Sequence, residues 1–199
     1  MYKCFLITIL FCYSYFSFGQ CHDSEKVEKL KKYYSNSYLV SDSLLYRTLF
    51  FNEFPSSFKE LNCYYGFGQN RRGVLVEEAK GHIFELFNNL NSINDTVYYN
   101  KIIKIAIGGK WNADAIFYFQ YGLWSKVLKS PDLTVYLLNK YSDYEISNFF
   151  DFFFDGNNHP KWEVLPVQLE EISKQNKKIY SIMEKSFDNK WNTFREATY

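Results

Sequence analysis

"GGKWNADAIFYFQ", residues Gly108 to Gln120, admits two readings, and the choice between them governs how the rest of the chain is parsed. Two glycines and a lysine resemble a loop built to cradle phosphate. Such a loop requires G-x-x-x-x-G-K-[ST], so that backbone amides ring the phosphate and a hydroxyl follows the lysine. Here Trp111 follows Lys110, and no glycine stands at the required earlier position. The alternative is a helix junction. Gly108 and Gly109 sit where a helix needs a residue of positive φ to finish. Asn112 suits an N-cap, its side-chain oxygen accepting from the amide of Asp114 or Ala115. Asp114 then meets the positive end of the new helix dipole, and Trp111 can pack on Ile116 as a hydrophobic staple.

The helix that follows is apolar on almost every side. Ile116, Phe119, Leu123 and Val127 form one stripe, Ala115, Tyr118 and Gly122 a second, and Phe117, Tyr121, Trp124 and Leu128 a third. A helix of that kind is central and covered on several sides. Beyond it, Ser130 and Pro131 place an N-cap and an N1 proline before the next helix. Ser142 with Glu145 makes a capping box ahead of "ISNFFDFFFD", which Gly156 ends. "NNHPKWEVLP" is a loop, and from Val167 onward Leu169, Ile172, Ile179, Ile182 or Met183 and Phe187 mark one long amphipathic closing helix.

Toward the amino terminus, Tyr98–Ile107 fits both helical and strand spacing and is read as helix because its neighbours are helical. Residues 74–93 carry the clearest amphipathic helix, with Ala79, Ile83, Leu86 or Phe87, Leu90 and Ile93 on one face. Tyr64–Gly73 holds three glycines and reads as a loop. Ser57 with Glu60 forms another capping box, and Val40–Phe54 is an apolar-rich helix stopped by Pro55. The expected fold is all-α. It is a single compact domain of about six to eight mostly antiparallel helices, either an irregular bundle or a short helical solenoid.

Residues 1–19 stand apart. Lys3, the apolar run Cys4–Phe16 and the small residues Ser17 and Gly19 have the layout of a secretory signal peptide cleaved before Gln20. The run is shorter than the roughly 20 residues a comfortable membrane span needs. A polar arm over 20–37 and a helical domain over 38–199 follow. Cys21 opens a second route, since a lipid on it would anchor the chain to a membrane. Gln20 and Phe18 depart from the usual lipobox. If Cys21 is not acylated, it can pair with Cys63, because an exported compartment permits disulfides and these are the two cysteines left after cleavage.

Without Lys3 the chain carries 22 basic and 22 acidic side chains, so nothing advertises a nucleic-acid partner. Aromatic residues are 21% of the chain, with 20 Phe and 18 Tyr, which fits AT-rich coding more simply than a recognition surface. Chemistry-bearing residues are few. His82 lies between Glu78 and Glu85 at helical spacing, a trio able to orient an imidazole or contribute metal ligands. A carboxylate-bridged metal bundle needs a second Glu-x-x-His helix, and none is present. Asp155, Asn157, His159 and Trp162 gather polar groups beside a tryptophan in a glycine-containing loop, the best candidate contact surface. The order does not match a calcium loop, and no G-x-S-x-G elbow occurs. No cofactor and no metal are implied. The expectation is an exported, non-enzymatic domain that binds another protein, of immunity type or as an envelope accessory. The alternative is a periplasmic hydrolase using His82 with Glu78 or Glu85, or His159 with Asp155.

Overall fold

A computed structural model describes residues 23–39, 41–68, 71–112, 115–156 and 167–198. In chain order the helices are α1 (Ser24–Leu39), α2 (Ser43–Glu53), α3 (Phe58–Tyr65), α4 (Ala79–Asn88), α5 (Asp95–Ala106), α6 (Ala115–Lys129), α7 (Pro131–Leu138), α8 (Asp143–Phe153), α9 (Val167–Gln175) and α10 (Lys177–Thr198). Between α3 and α4 a two-residue ladder pairs β1 (Phe67–Gly68) antiparallel with β2 (Arg71–Arg72). The fold is all-α. Of the ten helices among the described residues, the two beyond eight are α1 and the extra one made by the division of the closing segment.

Two of the caps written in the sequence depart from expectation: Ser130 precedes α7 without a side-chain cap bond, and the box at Ser57 is incomplete. Ser142 accepts from the Glu145 amide while Glu145 reaches back to the Ser142 amide, a complete capping box for α8. Ser57 accepts from the Glu60 amide, but the Glu60 carboxylate turns to the amide and hydroxyl of Ser56 instead. Asn94, which the sequence had not singled out, caps α5 through the amides of Thr96 and Val97. Gly108 adopts φ +75° after α5 and Gly156 adopts φ +96° after α8, both in the left-handed region that a side chain disfavours.

Three expectations change with the tertiary context. The polar arm is helical over Ser24–Leu39, packs on α2, and buries Val27 and Leu30. Its charges are spent on the body of the protein, Lys26 pairing with Glu60 and Lys31 with Glu78. The helix expected over 74–93 forms only at Ala79–Asn88. Leu75 donates its amide to the Tyr64 carbonyl at 2.8 Å, a tertiary bond that holds this stretch out of helix. The closing helix breaks at Asn176, whose Oδ1 accepts from the Lys178 and Ile179 amides and whose amide group donates to Asn139.

α6 packs on α3, α4, α7, α8 and α9. A solenoid repeat touches only its sequence neighbours, so the architecture is an irregular bundle arranged around α6. α8 and α10 pack together, as do α7 and α9. Among the described residues eleven Phe are buried, seven of them less than 2% exposed. The phenylalanines therefore serve mainly as core, each buried ring stabilising by about 1.5–3 kcal/mol. On α8, Phe149 stacks on Phe153 with centroids 6.1 Å apart, and Phe154 just beyond meets Phe187 of α10 edge-on at 5.3 Å.

Candidate functional site

The trio around His82 does not assemble. His82 is completely buried, with Nδ1 2.8 Å from Tyr65 Oη and the rings of Tyr34, Phe50 and Tyr65 around it. Burial lowers its pKa to about 4, so the imidazole is neutral. Glu78 turns away to Lys31. Glu85, also fully buried, accepts from Arg47 Nε at 3.1 Å, Tyr38 Oη at 2.5 Å and Asn89 Nδ2 at 2.6 Å. The three groups turn to different neighbours, and the imidazole is buried with Nε2 lacking a hydrogen-bond partner among the described residues. The result is a tie between α1, α2 and α4. Among the described residues no group of three His, Cys, Asp or Glu side chains is placed to hold a metal ion.

Of the proposed contact loop, Asn157, His159 and Trp162 lie outside the described residues. Asp155 is within them and is engaged by the fold. One carboxylate oxygen accepts from the Trp111 amide at 2.9 Å and the other from Lys190 at 3.0 Å. The Trp111 indole lies against Gly156, where a Cβ would come within 2.3 Å of the ring. Trp111 thus packs at the end of α8, and Asn112 donates its side-chain amide to the Phe67 carbonyl. Of the two amides expected to cap on Asn112, that of Asp114 lies outside the described residues. Gln120 Nε2 donates to the carbonyls of Phe152 and Asp155, satisfying free acceptors at the end of α8. The opening stretch is a structural junction.

Cys63 is disulfide-bonded. The other cysteines of the chain are Cys4, Cys12 and Cys21, all outside the described residues.

An accessible apolar groove was not singled out from the sequence. A groove of about 480 Å³ runs between α4 and α6, walled by Ile83, Phe84, Phe87, Phe117, Tyr118 and Tyr121. Phe84 and Tyr121 are 58% and 62% exposed. Gly122 forms part of the wall because a Cβ there would stand 2.2 Å from the Phe87 ring. The absence of a side chain is what lets α4 and α6 approach. The third stripe of α6 is therefore only half covered, with Trp124 buried and Tyr121 open. Lys80 and Asn88 are the polar members of the lining. A signal did exist for Phe84. It is apolar yet falls off the buried face of α4 formed by Ala79, Ile83, Leu86 and Phe87.

Lys101 also escaped notice. Burial lowers its pKa to about 8. Its ammonium donates to the carbonyls of Phe51 and Asn52 and lies over the Phe51 ring at 4.7 Å. It is a cation closing the carboxyl end of α2.

Comparison of the chain with known protein families, with curated proteins and with solved structures finds no match.

Proposed function

We propose that this chain is an exported, non-enzymatic helical domain that binds another protein, as an immunity-type antagonist or an envelope accessory, and that the α4–α6 groove is its contact surface. The observation that carries the reading is the exposure of Phe84 and Tyr121 along an apolar groove. Aromatic side chains left open beside a pocket are characteristic of interface cores. The expected partner inserts aliphatic side chains between these rings. Lys80, on the lining and in no ion pair among the described residues, favours an acidic residue beside them.

Export is supported by the leader-like residues 1–19 and by the disulfide at Cys63, since such bonds persist in oxidising compartments. We further propose Cys21 as the partner of Cys63, which would leave it unavailable for a lipid. No helix among the described residues is long and apolar enough to cross a membrane.

The test is titration of the purified protein with products of the neighbouring genes, followed by Phe84→Asp and Tyr121→Asp. Both side chains are exposed, so both variants should fold with unchanged circular dichroism. Each should weaken binding by at least about tenfold, the effect of losing a contact worth about 1.4 kcal/mol. A partner bound equally well by both variants would remove the groove from its role.

A further inference from the structure

We propose that Asn94, in the turn between α4 and α5, is an N-glycosylation site whose co-substrate is a lipid-diphosphate-linked oligosaccharide. Asn94-Asp95-Thr96 is the one Asn-x-Ser/Thr tripeptide in the chain. The inference rests on the reading of the chain as exported, because this transfer acts on chains that have crossed a membrane. The disulfide at Cys63 belongs to the same kind of compartment.

A tripeptide this short needs a fold that can carry the sugar. Asn91, Ser92 and the run Asn94 to Val97 are all exposed, so a bulky group at this turn meets solvent and not a neighbouring helix. The Asn94 side chain divides its two polar atoms between two tasks. Oδ1 accepts from the amides of Thr96 at 3.0 Å and Val97 at 3.3 Å, which caps α5. Nδ2 donates to nothing among the described residues. The nearby Asn88 and Asn89, by contrast, commit their side-chain nitrogens to the Phe84 carbonyl and to Glu85. Glycosylation modifies the nitrogen and leaves the carbonyl oxygen in place, so the cap on α5 survives it. Thr96, whose hydroxyl completes the motif, is exposed and that hydroxyl is likewise unengaged among the described residues.

In the transfer, Nδ2 bonds to C1 of the first sugar as the bond from C1 to the diphosphate oxygen breaks. Nδ2 gives up one proton to a base of the transferase, and the lipid diphosphate leaves with the bonding pair. No oxidant or reductant takes part. The product keeps one N–H on the nitrogen and sets a polar sugar beside Val97, an apolar side chain 55% exposed three residues on.

The experiment is peptide mapping by mass spectrometry of the full chain purified from its native host, before and after enzymatic release of N-linked sugars. Asn94→Asp, Thr96→Ala and Thr96→Ser are mapped beside it. The peptide containing Asn94 should carry a sugar mass that release removes, leaving aspartate at that position. Asn94→Asp keeps the capping oxygen and Thr96→Ala keeps the capping amide. Both should therefore lose the sugar completely while matching the urea midpoint of the sugar-free protein. Thr96→Ser should retain the sugar, since either hydroxyl satisfies the motif. The amino terminus, read in the same map, separates this inference from the export reading. Chains cleaved before Gln20 with a bare Asn94 would overturn the glycosylation alone, and chains retaining residues 1–19 with a bare Asn94 would overturn both. A sugar that persists in Asn94→Asp and disappears only in Thr96→Ala would sit on the threonine oxygen and overturn the N-linked assignment.

Discussion

His82 shows how one side chain can carry much of a protein's response to acid. An unfolded histidine titrates near 6.5, whereas burial holds the folded one near 4. Between those values the unfolded chain binds a proton that the folded chain does not. The stabilisation is thus complete above about pH 6.5 and is lost as pH falls toward 4, in total about 3 kcal/mol. The denaturation midpoint in urea should fall as pH drops from about 6.5 to 5, before the lowered carboxyls of Glu60 and Glu78 begin to titrate. His82→Phe should flatten that slope, although it strands the Tyr65 hydroxyl. A slope unchanged in the variant would place the acid response elsewhere. Glu85 is the second consequential residue. With Arg47, Tyr38 and Asn89 all donating to it, Glu85→Ala should cost about 3–5 kcal/mol, the scale of a buried pair broken on one side. Both residues are visible in the sequence as a Glu-His-Glu spacing. Their separation into different networks is not, because it depends on Tyr65 and Arg47 arriving from other helices.

Helix ends give a sharper comparison. Ser142 and Ser130 look alike in the sequence, each just ahead of an apolar helix. Ser142 makes the full capping box on α8, while Ser130 caps α7 with no side-chain bond. Ser142→Ala should therefore lose about 1 kcal/mol in chemical denaturation. Ser130→Ala should lose less, through its contact with Tyr99. Equal losses would mean that cap geometry does not set the energetics here. The elements most legible in the sequence were those ended by local chemistry: α5 by Gly108, α8 by Ser142 and Gly156, α7 by Pro131. α4 was overestimated because the Leu75 amide is taken by Tyr64, a residue outside its own helix. The single closing helix divided because Asn176 is an N-cap, a signal present in the sequence but masked by the continuous apolar spacing around it.

At the scale of the whole molecule, Cys63 on α3 is disulfide-bonded, and the other cysteines of the chain are at positions 4, 12 and 21. If the partner is Cys21, the closed loop is long enough for the bond to stabilise the fold by about 4 kcal/mol in the chain-entropy picture. Non-reducing peptide mapping of the exported protein should recover Cys21 joined to Cys63, and Cys63→Ser should lower the thermal midpoint. A lipid-modified Cys21 would refute the pairing. The functional surface is a property of this same scale. Tyr121 and Trp124 share a stripe on α6, yet Trp124 donates to the Phe153 carbonyl from inside the core while Tyr121 faces solvent beside Phe84. Periodicity and capping are short-range effects, so the order of residues was enough to establish an all-α chain, most of its helix boundaries and the structural nature of the 108–120 junction. Coverage is long-range. Which stripe of α6 is buried follows from how α4 and α8 pack against it. Where His82 and Glu85 find partners follows from how α1, α2 and α3 meet α4. Close packing of large aromatic side chains leaves few ways to do either.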